Sequence, residues 1–244
     1  MARINKKNNI SGRINNLIFF DLNGEQFVKA ASDTIMQTKA TKLSSGEFIK
    51  CSKWTKQIRL SLSPILLTYT DTYMYKRFTA RFYAALQTNT TISKEQRSPW
   101  NSDLSGLTGF EFNSHSPFSN YFFPTIIADI NEQNKLVITI PEFETSTEMV
   151  FSENTGKAEL IIFSVAINLE SYSPILAEHF MIPIERHTLH LSETIVSNIA
   201  IPAKHFIVVL AKLMYYLPNS ITIKNYINHK EFNPSTIIMA KHTL

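Results

Sequence analysis

The chain has 244 residues, of which 44% are hydrophobic and 18% are charged, a composition typical of globular proteins and too apolar for a disordered one. A chain of this length buries enough core to need no disulfide or metal for stability, and its single cysteine, Cys51, has no partner for an internal disulfide. Its six glycines are too scattered to form a Gly-rich loop that cradles nucleotide phosphates.

Charge divides the sequence into two opposite halves. Residues 1–100 contain 16 Lys or Arg against 6 Asp or Glu, a net charge of +10, whereas residues 101–244 contain 8 against 14, a net charge of −6. This division favours an N-terminal part that faces a polyanion, or subunits that stack head to tail. A solvated basic face without a partner explains the same pattern.

The N-terminal residues predict where the protein is made. Residues 1–16 are polar and basic and lack the apolar core of about seven or more residues found in a secretory signal peptide. The longest apolar runs, such as residues 206–210, are far shorter than the ~20 residues that span a bilayer. We therefore expect cytoplasmic synthesis, no signal peptide and no membrane contact, and incorporation into a particle stays open.

An arm and a hairpin are the first predicted elements. Residues 1–12 are expected to form a flexible basic arm, because they hold little that can be buried. Apolar residues 17–20, the Asn23-Gly24 dipeptide and Phe27-Val28 then predict a β-hairpin, since Asn-Gly favours a type I′ turn.

Two helices complete a predicted segment over residues 13–87. Ser44 and Glu47 match a capping box at the start of the first helix, and Pro64 is expected to end it. Its apolar positions at helical spacing are Phe48, Cys51, Trp54 or Thr55, and Ile58. Asp71 or Thr72 is expected to cap the second helix. Its apolar stripe at four-residue steps consists of Met74, Phe78, Phe82 and Leu86.

Residues 88–124 combine a polar composition with many aromatic rings. Ordering such backbone is costly without burial, so we expect an extended segment that packs its rings onto a neighbour. Residues 125–244 predict a β-sandwich of about seven strands. These strands are expected at residues 135–140, 158–167, 180–184, 193–201, 206–216, 221–226 and 235–240. Residues 206–217 also suit a helical period, although a strand is preferred.

The hairpin region resembles a known family. The matching residues are Ser11-Gly12-Arg13-Ile14-Asn15-Asn16-Leu17-Ile18-Phe19-Phe20, then Asn23-Gly24, then Phe27-Val28-Lys29. They resemble the opening of an uncharacterised family found in Bacteroidota, which begins with a polar arm, a Gly-Lys-x-Gly element, a hydrophobic strand and an Asn-Gly turn. Asn15 stands where that family has its second glycine. Residues 48–62 match the family's basic helical stretch. The resemblance implies a C-terminal immunoglobulin-like β-domain and carries no assigned activity.

The predicted fold class is therefore mainly β with a small α part. It consists of an N-terminal β-hairpin and two helices, followed by an immunoglobulin-like antiparallel β-sandwich.

The sequence contains no recognisable catalytic motif. No serine lies in a Gly-x-Ser-x-Gly elbow, and Cys51 falls on an apolar helix stripe, where cysteine is usually an inert small hydrophobe. His187 and His190 are three residues apart, which does not match a zincin helix. We predict neither a metal site nor a cofactor, and no catalytic residues.

Basic residues of the two helices form the first predicted contact surface. Their spacing could neutralise phosphates of a nucleic acid or contact another acidic partner, although a solvated helix face explains the same spacing. The residues are Lys50, Lys53, Lys56, Arg59, Arg77 and Arg81.

An aromatic docking segment is the second predicted surface, formed by Phe118, Tyr121, Phe122 and Phe123. Extended segments that dock on neighbours are a common device of assemblies. We therefore expect a non-enzymatic structural or assembly protein, such as a virion or phage-like particle component, that binds itself or other subunits. The alternative is a nucleic-acid-binding protein, and a monomer whose aromatic segment covers its own sandwich is the simplest competing explanation.

Overall fold

A computed structural model describes residues 2–6, 8–22, 25–32, 36–67, 69–152, 154–171, 173–217 and 224–243, with the backbone alone at residues 173–176. The chain is mainly β, with two α-helices and several antiparallel sheets. It divides into two compact units, Met1–Leu43 and Ser44–Leu244.

The first unit contains an antiparallel meander of four strands in sequence order. These strands are β1 (Arg3–Ile4), β2 (Ile10–Ile14), β3 (Leu17–Leu22) and β4 (Glu25–Ala30). The predicted hairpin is confirmed, because β3 and β4 pair with Phe20 opposite Phe27. Its Asn23-Gly24 turn lies outside the described residues. The stretch expected to be a flexible arm contributes β1 and the start of β2.

A second hairpin, which the sequence analysis does not predict, joins β2 to β3 through Asn15 and Asn16. Asn15 has a φ of +49°, in the left-handed region that asparagine tolerates better than most non-glycine residues. Asparagine therefore takes the conformation that a glycine would take at this position.

Helices α1 (Lys39–Leu66) and α2 (Met74–Gln87) follow the meander in the chain. The predicted capping box at Ser44 is wrong, because α1 begins five residues earlier. Thr38 Oγ1 accepts the N–H of Thr41 at 3.1 Å, which is the N-cap contact. The helix also continues past Pro64 to Leu66. The predicted stripe of α2 is confirmed, since all four of its members are buried.

The remaining strands form three antiparallel sheets of the second unit. Their bounds are β5 (Ile127–Ile130), β6 (Leu136–Ile140), β7 (Phe143–Glu144), β8 (Lys157–Asn168), β9 (Ser173–Glu185), β10 (Leu189–His190), β11 (Glu193–Val196), β12 (Phe206–Tyr216) and β13 (Ser235–His242). The sheets run β13-β12-β8-β9, β11-β6-β5 and β10-β7. Strand β12 confirms the strand interpretation of residues 206–216. The strand expected at 221–226 lies partly outside the described residues.

The four-stranded sheet lies between two buried layers. One face packs Phe163, Val165 and Val208 against apolar residues of α1 and α2. The other face packs Leu160 and Val209 against the three-stranded sheet. Burial on both faces explains why β8 and β12 are apolar along most of their length and do not alternate.

Residues 109–112 cover the β13 edge of this sheet. The N–H of Gly109 donates to Ile237 O at 2.7 Å, and the N–H of Ile237 donates back to Phe110 O at 3.1 Å. Phe110 also packs its ring on Phe78, with centroids 5.1 Å apart. This part of the predicted aromatic segment therefore protects a sheet edge that would otherwise be open to pairing.

Candidate interaction surfaces

The register of the meander separates its side chains into two faces, because directly paired residues of an antiparallel sheet point the same way. The apolar face carries Ile4, Ile10, Ile14, Leu17, Phe19, Val28 and Ala30, with Asp21 and Gln26 at one end. The aromatic face carries Ile18, Phe20, Leu22 and Phe27 together with Arg3, Ser11, Arg13, Glu25 and Lys29.

The apolar face is largely exposed to solvent. Ile4 is 70% exposed, Leu17 46% and Val28 54%. Among the described residues before Ser44, Ala31 is the only one that is buried. A sheet of this size gains its stability from a covered hydrophobic face, so this face has the composition of a docking surface.

The aromatic face combines stacked rings with cations. Phe20 and Phe27 stack with centroids 5.9 Å apart, and Lys29 Nζ lies 5.3 Å from the Phe20 ring centroid. Rings next to cations on a sheet surface are the groups that single-stranded nucleic acid binders use for stacking.

Three of the six predicted basic contact residues bind within the chain. Lys50 Nζ donates to Glu95 O at 3.0 Å, and Arg81 Nε donates to Gly106 O at 2.6 Å. Arg77 pairs with Asp71 and donates to Glu111 O at 2.9 Å. These side chains hold the segment after α2 against the helices, so their charge is partly satisfied by the fold.

The other three basic residues have no carboxylate partner among the described residues. Lys53 and Lys56 are exposed on α1, and Arg59 is half-buried. The Arg59 guanidinium lies 5.9 Å from the Tyr75 ring centroid. Burial lowers the pKa of Arg59.

The predicted docking segment is mostly engaged inside the second unit. Phe118 and Phe122 are 5% and 3% exposed, and Phe122 packs on Phe143 with centroids 5.1 Å apart. Tyr121 packs on Phe232 at 5.3 Å. Phe123 alone of the four is exposed.

A buried ionic contact, missed from the sequence, joins α1 to the segment after α2. Glu47 is 2% exposed; its Oε1 lies 3.4 Å from Arg97 Nη1, and its Oε2 accepts the Tyr83 hydroxyl at 3.0 Å. Burial and then this carboxylate raise the pKa of Tyr83. They also raise the pKa of Cys51 to about 12, which keeps that thiol protonated and unreactive.

A groove of about 700 Å³ lies beside the C-terminal end of β13. Its carboxylates include Asp103 and Asp129, and its cations include Lys241. Hydrogen bonds from Ser105 lower the pKa of Asp103, and the N–H of Ile130 lowers that of Asp129. A general acid near neutral pH needs the opposite shift, so these groups lack the tuning typical of an acid–base pair.

The histidines form no metal cluster. Across the described ranges, no group of three or more His, Cys, Asp or Glu residues is arranged to hold a metal ion. His190 instead stacks on Phe143 with centroids 4.9 Å apart. Within the described part of the chain, neither α1 nor α2 is both long enough and apolar enough to cross a membrane.

Comparison with protein-family models, with curated proteins and with solved structures found no match to this chain.

Proposed function

We propose that the protein is a non-enzymatic structural or assembly protein that docks on neighbouring copies of itself through the apolar face of its meander. The observation that carries the proposal is the exposure of Ile4, Ile14, Leu17 and Val28 on one face of a sheet. Both buried core clusters consist of residues of the second unit, so the meander contributes to neither of them. A virion or phage-like particle component is the concrete form of this proposal.

Charge supports a head-to-tail contact over a symmetric one. The first 43 residues contain 7 Lys or Arg against 3 Asp or Glu, a net charge of +4. Two such units face to face would repel each other, whereas residues 101–244 carry a net charge of −6. A heterologous contact of this kind propagates into rings or filaments.

The acceptor that we propose is the outer face of the three-stranded sheet in the next copy. Ile127 pairs with Thr139, and Thr139 pairs with Thr194, so all three share that face. Ile127 is 60% exposed, and Val196 on the same outer face is 47% exposed. Two sheet faces with small and β-branched side chains can pack about 10 Å apart.

The size of the meander limits the strength of one such contact. Four strands spaced ~4.8 Å apart and about five residues long project an area of roughly 300 Å². This is well below the ~800 Å² per partner of a standard interface. We therefore expect weak pairwise association that becomes effective where many copies meet.

Light scattering over a range of protein and salt concentrations tests the proposal. We expect species above 27.9 kDa that grow with protein concentration and dissociate as salt rises. Val28→Gln should shift the protein to monomer. Leu22→Gln is the matched control, because Leu22 is equally exposed but lies on the aromatic face. Ile127→Gln should reproduce the Val28 effect. A monomer under every condition would overturn the proposal.

For residues 125–244 we propose an immunoglobulin-like sandwich. If β5, β6, β8, β9, β11, β12 and β13 are named A to G, strands A, B and E pair in one sheet and C, F and G in the other. Immunoglobulin constant domains share these pairings. Strand D pairs with strand C here, whereas in those domains it pairs with strand E. The resemblance to the Bacteroidota family implies the same kind of domain. Membership of the chain in that family is part of this proposal.

Nucleic-acid binding is the second candidate, and the aromatic face of the meander supports it together with exposed Lys53 and Lys56. Fluorescence anisotropy with a labelled single-stranded oligonucleotide tests it. Phe27→Ala should weaken binding, whereas Val28→Ala on the opposite face should not. Equal effects of the two variants, or no binding at low salt, would reject this candidate.

A further inference from the structure

A pocket of about 310 Å³ lies beside the C-terminal half of α1. It is lined by two cations, Lys56 and Arg59, by the hydroxyl-bearing Thr70, and by apolar side chains that include Leu60, Leu67 and Met74. Its volume falls at the lower end of the range for small-molecule sites.

Arg59 contributes a guanidinium to the wall of this pocket. Its side chain is half-buried, and the guanidinium lies 5.9 Å from the Tyr75 ring centroid. A guanidinium is well suited to bind the oxygens of a phosphate or carboxylate.

The surroundings of the pocket favour a negative ligand. None of the described residues that line it is acidic. The carboxylate of the nearby Asp71 is occupied by Arg77 and by the N–H groups of Tyr73 and Ser114.

The C-terminal end of α1 would itself oppose an anion, because carbonyl groups point from it. Lys212 offsets this effect, since its Nζ donates to Ile65 O at 2.7 Å. The positive charge of that ammonium lies at the negative pole of the helix.

Apolar groups at the rim indicate what carries the anion. Leu60 and Leu67 line the pocket and are 55% and 51% exposed. Exposed leucines next to two cations suit a ligand with a charged group and an apolar body.

We propose that this pocket binds the phosphate group of a small phosphate monoester, with Arg59 and Lys56 as the anion ligands and the leucines against its organic part. Thr70 lines the same cavity, and a threonine hydroxyl can donate to a phosphate oxygen. The site lies on α1 and the loop after it, and does not depend on assembly through the meander.

Isothermal titration calorimetry on the full chain tests the site at constant ionic strength. The probes are inorganic phosphate, adenosine monophosphate and butyl phosphate. We expect the two monoesters to bind at least tenfold tighter than inorganic phosphate, and their relative affinities identify which organic body fits. Equal affinity for all three would overturn the assignment of a monoester, and no binding at millimolar concentration would overturn the site.

Arg59→Gln is the test variant, and we expect it to weaken monoester binding at least tenfold. Lys53→Gln is the matched control, because Lys53 is an exposed cation of the same helix that does not line the pocket. Thermal melts separate folding from binding: monoester should raise the Tm of the wild type and of Lys53→Gln but not of Arg59→Gln. Equal loss in both variants would mean diffuse electrostatic attraction and would overturn the proposal.

Discussion

The Nζ of Lys212 donates a hydrogen bond to the main-chain carbonyl of Ile65 at 2.7 Å. A lysine on a central strand of the sheet thus binds the last turn of the long helix α1. The side chain is 1% exposed, and no carboxylate neutralises it among the described ion pairs. The contact satisfies a helix-terminal carbonyl at the cost of a buried charge.

Replacing Lys212 with methionine should stabilise the protein at neutral pH. Burial lowers the pKa of Lys212 to about 8, and a shift of this size corresponds to about 3 kcal/mol against the charged form. Loss of the hydrogen bond to Ile65 destabilises the variant by roughly 1 kcal/mol, which offsets part of this gain. We expect a net gain of about 1–2 kcal/mol in the free energy of unfolding, measured with denaturant at pH 7.

The same substitution should also change the pH dependence. Below pH 8 Lys212 is protonated in both the folded and the unfolded state, so the burial of its charge lowers the free energy of unfolding by the full amount. Between the folded pKa of about 8 and the ordinary lysine pKa of 10.5, the unfolded chain binds more protons, so stability rises with pH. The advantage of Lys212→Met should therefore shrink across this window, and a constant difference would contradict the assignment.

The buried contact between Glu47 and Arg97 should behave as a coupled pair. Arg97→Met should cost about 3 kcal/mol, because it leaves a buried carboxylate without its cation. The double variant with Glu47→Met should recover most of that loss. The measurement is chemical denaturation of the single and double variants. Lys157→Met, which breaks an exposed ion pair with Glu185, is the control and should change stability little.

Leu67 should be replaceable by glycine with a gain in stability. Its φ is +55°, a conformation that costs a non-glycine residue about 1–2 kcal/mol, while glycine loses roughly 0.5–1 kcal/mol in backbone entropy. The side chain is half exposed, so few contacts are lost. We expect a gain of up to ~1 kcal/mol by thermal unfolding. Leu60→Gly, at an equally exposed position inside α1, should lower stability by a similar amount.

Cys51 should resist thiol reagents in the folded protein. Its raised pKa leaves almost no thiolate at neutral pH, and its side chain is fully buried. Mass spectrometry after incubation with iodoacetamide should detect modification only when denaturant is present. Modification of the native protein at the rate of a free thiol would show that α1 and α2 separate readily.

The sequence predicts elements well where the local pattern and the tertiary environment agree. The stripe of α2 is buried as its period predicts, and the strand pairing of Phe20 with Phe27 follows from the hairpin signal. Strand β12 is ambiguous in sequence because both of its faces are buried. Only the presence of layers on either side decides between strand and helix there.

Other errors arise where a polar residue has a long-range partner. Glu47 has the spacing of a capping box with Ser44, but its carboxylate binds Arg97, 50 residues away. The spacing of Arg77 and Arg81 in the sequence predicts a free basic surface. In the structure, however, each side chain donates a hydrogen bond to a backbone carbonyl of the segment after α2. Phe122 looks like part of an intermolecular docking segment because nothing in its own neighbourhood predicts its contact with Phe143.

The pairing of residues 109–112 with β13 has a consequence for biosynthesis. Thr236 Oγ1 donates to the carbonyl of Phe110 across a separation of 126 residues, and Phe82 of α2 packs on Phe206. Helix α2 therefore leaves the ribosome long before the strands that bury it, and its phenylalanines stay exposed on the nascent chain. The meander closes through local hairpins early in translation, whereas the second unit can bury its core only after β13 has been synthesised.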